Sequence, residues 1–384
     1  MNTTALTPDA LKQQAMQATG LSNWGDTQFD EALEKLCQAA RDDAKLSGVA
    51  FERFTGLIIN LLSNRLKITD DRQRYPEIAQ QKIIAPLIVI GLPRSGTTIL
   101  HSLLAQDPDA RSPLTWEVSQ PSPPPRAETY TSDPRIAQSE AVINSLDPQF
   151  RAMHAMGATL PEECNSFMSM AFQSMNFGAI NALPSYSHWM VEENDIRSAY
   201  DFHYQVLQHF QAFKAGKHWV LKSPTHLFWL SALLETYPDA RIVVTHRDPA
   251  QVLPSNTSLI AHIRASACKV DPIALGQQQQ REWHTALRRS MEFRDKHPHK
   301  GQFFDAHYQQ IINDPISLIE SIYTHFGMTL SDTARTNMTE FLANNKQGKH
   351  GAHHYTAEQF GMSVEGLHRE FGDYIQRYQI DLGR

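Results

Sequence analysis

The spacing of apolar positions divides the chain into a helical first stretch and a later alternation of short strands and helices. Thr7-Pro8 predicts a helix start with proline at the first helical position, and Gly20 predicts its stop. Asp26 opens a second segment in which Phe29, Leu33, Leu36, Cys37 and Ala40 recur at helical spacing, ending near Gly48. A third helix is expected from about Val49 through GLIINLLSNRL. From Pro86 the pattern changes: LIVI is a β-branched run that ends in Gly91 and leads through a Gly/Ser/Thr turn into the helical stretch TTILHSLLAQ. A second unit runs from the strand HWVLK (218–222) through a helix HLFWLSALLETY to the strand RIVVTH (241–246). GQFFDAHY (301–308) is a further strand candidate before a helix near Asp314-Pro315, and the rest reads as helical apart from a loop around Gly348 to Tyr355. PSPPPR (121–126) can be neither helix nor central strand and predicts a surface loop. Strands alternating with helices predict right-handed crossovers and a mostly parallel sheet covered on both faces. The expected architecture is α/β, with residues 1–82 as an N-terminal helical extension and 83–384 as the main domain.

Composition changes this picture little. Apolar residues make up 41% and charged residues 20%, which is globular rather than disordered or fibrous. Charge changes it more. With 35 Lys and Arg against 41 Asp and Glu, the net charge of −6 excludes a global positive field for nucleic acid or an anionic membrane. Any polyanion must be gripped by a few placed cations. Cys37, Cys164 and Cys268 are an odd number without C-x-x-C spacing, which predicts neither a disulfide scaffold nor a cysteine zinc site and fits a reducing, cytoplasmic setting. The start MNTTALTPDALKQQ has no basic segment followed by an apolar stretch, so no secretory signal is expected. The longest apolar runs, near 83–92 and 57–62, fall well short of the roughly 20 residues of a bilayer span, so no integral membrane segment is expected.

The chemistry concentrates in Gly91-Leu-Pro-Arg-Ser-Gly96-Thr-Thr98. Both glycines have the spacing of the phosphate loop G-x-x-x-x-G-K-[ST], but Thr97 stands where an NTPase needs lysine. The backbone logic survives, because N–H groups can still converge on an anion at a helix N-terminus. Arg94, inside the loop, supplies a planar fork of donors suited to phosphate or sulfate oxygens.

PRSGTT after a buried strand resembles the 5′-phosphosulfate loop of sulfotransferases that use 3′-phosphoadenosine 5′-phosphosulfate (PAPS). A second signature follows in order: after RIVVTH comes Arg247-Asp-Pro, and eight residues beyond Arg247 stands Ser255. The resemblance implies that Arg247 and Ser255 hold the donor's 3′-phosphate, while Arg94, Ser95, Gly96, Thr97 and Thr98 hold the 5′-phosphosulfate end. HWVLKSPTH places Lys222 at a strand end, as in bacterial members, and FFDAHYQQIINDP and FGM…FGDYIQRY extend the similarity over about residues 85–380. Arg94 in the loop, and the absence of a C-terminal R-K-G-x-x-G-D stretch, set the chain nearer the branch containing tyrosylprotein sulfotransferases and many bacterial enzymes than the cytosolic hormone-type branch. The implied fold is P-loop-like and three-layered.

The implied reaction is in-line transfer of a sulfonate to a hydroxyl of a small-molecule or lipid acceptor, where catalysis is positioning plus charge stabilisation. The resemblance implies PAPS as co-substrate; its bisphosphate is a good leaving group and no HExxH or DxDxDG motif occurs, so no metal is expected. Arg94 is the candidate for the bridging oxygen. Lys222 is a second cation, with a solvated strand-end lysine as its alternative reading. For the base, the resemblance implies a Glu or His, often a carboxylate about twenty residues beyond the loop, so Glu117, 23 residues past Arg94, comes first, with His154, Glu162 and Glu163 in HAMGATLPEEC in reserve. The resemblance to the bacterial members implies that the loop carrying His350, His353 and His354 closes over the nucleotide, rather than holding a metal. Trp116, Phe167, Phe172, Tyr186 and Trp189 are weighed between acceptor cleft and core. The competing readings are a P-loop kinase-like phosphotransferase and a non-catalytic nucleotide-binding module. Oligomeric state is left open by the sequence, a homo-oligomer included.

Overall fold

The computed structural model describes residues 6–147, 151, 156–345 and 355–382. His154, His350, His353 and His354 therefore lie outside the described residues. Five strands form one sheet in the order β2-β3-β1-β4-β5. They are β1 (Leu87–Gly91), β2 (Ala110–Arg111), β3 (His218–Lys222), β4 (Arg241–His246) and β5 (Phe303–His307). Every pairing is parallel: Leu87 registers with Val220 of β3 on one side and with Arg241 of β4 on the other.

β1 is buried along its whole length, as a central parallel strand must be when helices cover both faces. The two-residue period sorts its side chains. Ile88 and Ile90 join the core on one face, while Leu87 and Val89 join the core on the other. Replacing either fully buried isoleucine by alanine is expected to cost about 2–5 kcal/mol. The second face is closed by α4 (Thr97–Leu104) through Leu100, Leu103 and Leu104, and by the helix Pro315–His325 through Leu318, Ile319 and Ile322.

The N-terminal helices α1 (Pro8–Thr19), α2 (Asp30–Asp42) and α3 (Gly48–Arg74) form for the reasons the sequence suggests. The Thr7 hydroxyl accepts from Ala10 N at 3.3 Å, and Gly20 closes α1 in the left-handed region at φ 69°. Their apolar faces do not form a separate core. Leu11, Leu33 and Leu62 belong to the same cluster as Phe167, Phe172 and β1, and the Phe29 and Phe172 rings lie 5.7 Å apart.

One expected element divides. HLFWLSALLETY is a 3₁₀ turn (Pro224–Phe228) followed by a short helix (Leu230–Thr236), because Trp229 leaves helical geometry at φ −136°, ψ 43°. Strand order matters more for function. The connections from β1 lead to β2 and β3 on one side and to β4 and β5 on the other, so the carboxyl end of β1 is the switch point where open α/β sheets bind ligands.

Candidate functional site

At that switch point the chain turns sharply from β1 into α4. Gly91 sits at φ 142°, and a Cβ there would lie 2.2 Å from Thr245 Oγ1 and 2.6 Å from the Thr245 carbonyl, so only glycine lets β1 pass β4 at its tip. Gly96, at φ 93°, opens α4. The first N–H groups of α4 have no intrahelical acceptors and face outward at the positive end of the helix dipole, which favours an anion. Between the glycines Arg94 adopts φ 64°, a conformation that costs a non-glycine residue about 1–3 kcal/mol and that clusters at functional sites.

Arg94 is exposed, and its Nε donates to Ser255 Oγ at 3.3 Å. Arg247 Nη1 donates to the Arg94 carbonyl at 2.7 Å, and its guanidinium lies 3.8 Å from the centre of the Tyr308 ring. Burial lowers the Arg247 pKa without neutralising it. Asp248, next in sequence, is occupied: it caps the helix Pro249–Ala265 through Ala250 N at 2.8 Å and meets His368 Nε2 at 3.0 Å. Among the described residues neither Arg94 nor Arg247 forms an ion pair, leaving two adjacent guanidinium groups without a carboxylate. Such a pair beside a helix start is suited to phosphate or sulfate oxygens.

The candidate residues divide by location. Thr97 and Thr98 line a cavity of about 950 Å³, together with Arg94, Lys222, Arg247, Glu162 and Glu163. Ser95 does not: its hydroxyl is fully buried, donating to the Leu92 carbonyl and sharing a hydrogen bond with Thr245 Oγ1, each at 2.5 Å. Only its backbone is left to face an anion. Lys222 ends β3 almost fully buried, ion-paired to Glu163 and 3.5 Å from Thr98 Oγ1. Below it, burial first and the Lys222 charge second push His101 down to about 3, so its imidazole is neutral against the Val220 carbonyl.

Glu117 is placed elsewhere. It is fully buried, held by both Nη atoms of Arg111, by Tyr130 OH at 3.1 Å and by Leu114 N at 2.9 Å, and it does not line the cavity. Expected first as the base, it is instead a clip between β2 and the helix Thr115–Ser119. Glu162 lines the cavity with its oxygens engaged by Ser166 Oγ and Glu163 N, both at 2.9 Å, and by Thr115 Oγ1 at 3.2 Å. Glu163 is the carboxylate joined to the cation. Trp116, Phe167, Phe172, Tyr186 and Trp189 are all buried outside the cavity lining. The lining aromatics are Trp283, Tyr308 and Phe341. Tyr308 went unassigned in the sequence although it follows β5, at the carboxyl edge where ligands gather.

Residues 86–332 match the sulfotransferase family model. The chain belongs to the sulfotransferase family. Its fold is similar to that of sulfotransferase STF9 from Mycobacterium avium, with a TM-score of 0.89, 27% identity, and coverage of 99% of this chain and 98% of that one. It is also similar to sulfotransferase STF1 from Mycobacterium tuberculosis, with a TM-score of 0.84, 33% identity, and coverage of 96% and 98%. The omega-hydroxy-beta-dihydromenaquinone-9 sulfotransferase Stf3 of Mycobacterium bovis is 24% identical over 307 residues, which is 77% of this chain and 75% of that protein. The expected family and the expected parallel-sheet fold therefore stand, and the enzyme is a bacterial-type sulfotransferase. Among the described residues no helix is long and apolar enough to cross a membrane.

Proposed function

We propose that this sulfotransferase takes its sulfonate from PAPS and transfers it to a hydroxyl at the end of a largely apolar acceptor, a lipid or a lipid-like small molecule. One observation carries the reading: the guanidinium groups of Arg94 and Arg247, hydrogen-bonded to Ser255 and Gln251 but without a carboxylate partner among the described residues, meet the start of α4 at the rim of the same cavity whose wall holds the Lys222–Glu163 pair. Arg247 and Ser255 take the 3′-phosphate, and the α4 amides, Thr97 and Thr98 take the 5′-phosphate. Arg94 and Lys222 stabilise negative charge on the bridging oxygen as the sulfur–oxygen bond breaks.

Glu163 is the base in this scheme, because it is the cavity carboxylate already placed beside Lys222, whereas Glu162 is spent on the turn that carries it. As Lys222 shifts toward the sulfonate, Glu163 accepts the acceptor's hydroxyl proton. The acceptor oxygen bonds to sulfur while adenosine 3′,5′-bisphosphate leaves, so one sulfonate and one proton change partners. Leu160, Ile180, Leu259, Ile260 and Ile263 give the cavity apolar walls that suit a hydrocarbon acceptor. The hydroxylated menaquinone named for the Mycobacterium bovis relative is an acceptor of that kind.

The test is turnover with isotope-labelled PAPS and a panel of hydroxylated lipids, in EDTA, with mass spectrometry of the products. The expected result is one sulfonate mass gained on a lipid alcohol. Magnesium-dependent turnover of ATP with no transfer from PAPS would favour the phosphotransferase reading instead.

A further inference from the structure

Directly behind the cavity wall lies a second cluster that sulfonate transfer does not use. Cys164 Sγ and one ring nitrogen each of His203 and His226 lie within 4.8 Å of one another, and all three residues are fully buried. In both histidines Nδ1 is already engaged: His203 with Tyr237 OH at 2.5 Å, and His226 with Tyr200 OH at 2.7 Å. In both, Nε2 is buried without a hydrogen-bond partner. Two unsatisfied imidazole nitrogens in a fully buried core call for an explanation, since each costs about 1–3 kcal/mol when left alone. The tyrosines supply what metal-bound histidines typically have, an outer partner on the far nitrogen that fixes ring orientation.

We propose that Cys164, His203 and His226 form a buried site for one soft transition-metal ion, Cu(I), bound through Sγ and the two Nε2 atoms. Softness follows from the thiolate and imidazole donors. Charge selects the oxidation state: one thiolate and two neutral imidazoles neutralise a monovalent ion, whereas a divalent ion would leave a net positive charge in an apolar core. Ligand number agrees, because structural zinc takes four ligands and no fourth His, Cys, Asp or Glu joins the three among the described residues. The histidines are ready as ligands, since each Nε2 is free of hydrogen bonds while the tyrosine hydroxyl holds Nδ1. The Cu–S bond forms as the thiol proton passes to solvent.

The position gives the ion a role. Cys164 lies between Glu163 and Asn165, and His226 follows Pro224 and Thr225, and all four neighbours line the cavity. The ion would fasten the segment carrying Glu163 to the turn that follows Lys222, from behind.

The experiment is anaerobic titration of the full chain with Cu(I) against the competing chelator bicinchoninate, with X-ray absorption on the loaded protein. A Cys268→Ser background removes the one thiol that is only half-buried. The expected result is one tightly held equivalent, a first shell of one sulfur and two nitrogens, and a raised thermal midpoint. Cys164→Ser abolishes that equivalent. Tyr200→Phe, which keeps every ligand, weakens it by about 10–100-fold. If Cys164→Ser fails to fold, the absorption spectrum and Tyr200→Phe still decide. No tight equivalent on the unaltered chain, a shell without sulfur, or unchanged affinity in Tyr200→Phe would overturn the site. Tighter binding of Zn(II) than of Cu(I) under the same competition would overturn the assignment of the ion.

Discussion

Two glutamate–cation pairs flank the sheet, and they look alike in sequence. Glu117 with Arg111 and Glu163 with Lys222 each join an acidic residue from the region after β1 to a basic residue on a strand. Their surroundings separate them. Glu117 has no exposed surface and its oxygens are taken by Arg111, Tyr130 and a backbone amide, whereas the Glu163 side chain keeps 24% of its surface and faces the cavity. A carboxylate enclosed by its partners holds structure together, while one that still meets open space can exchange a proton. Spacing from the loop, which favoured Glu117, carries no information about which of the two a residue will be.

The largest effect is expected from Glu117→Gln. It strands the Arg111 charge in the core, so the protein should lose about 3–5 kcal/mol in urea denaturation while folded enzyme keeps its kcat/KM. Lys222→Met should do the reverse. Transfer falls by about 10²–10³-fold, because one stabilising charge is removed at the transition state, while thermal unfolding stays near that of the unaltered protein because the freed Glu163 can turn to water. Arg94→Gly combines both signs: the left-handed backbone at φ 64° is relieved, so the thermal midpoint holds or rises as transfer collapses.

A third carboxyl gives the smallest effect. Glu282, on another wall of the cavity, accepts from Gln278 Nε2 at 2.7 Å and Gln279 Nε2 at 3.1 Å, and burial pushes it up from 4.5 to about 7. The folded state thus holds a proton that the unfolded chain releases earlier. Stability present below about pH 4.5 is lost as pH rises through about 7. In Glu282→Gln, urea midpoints should show less of that decline across the same window.

The strand, glycine loop and helix from Leu87 to Leu104 were legible because strand burial, the turn and the helix start are local in sequence. Arg247 and Ser255 were singled out only through the family resemblance, and the structure places them just after β4 and on the next helix, each bonded to Arg94. Glu117 was misjudged because its partner lies on an edge strand whose two residues carry no strand pattern. Tyr308 was passed over because ring stacking on an arginine leaves no spacing signature. Cys164, His203 and His226 come from three separate segments, brought together where the helix Arg197–Gln211 packs against both the helix Cys164–Met168 and the turn after β3.

Under the proposed function, the carboxyl end of β1 is a bisphosphate donor site closed by Arg247. Calorimetric titration with adenosine 3′,5′-bisphosphate tests it most directly, run side by side on the unaltered enzyme, on Arg247→Ala and on Glu117→Gln under conditions where each is folded. The account predicts saturable one-site binding, weakened by about 10–100-fold in Arg247→Ala and unchanged in Glu117→Gln, since hydrogen bonds to a charged group contribute about 1.5–3 kcal/mol. Absence of binding to the unaltered enzyme, or equal affinity in Arg247→Ala, would contradict it.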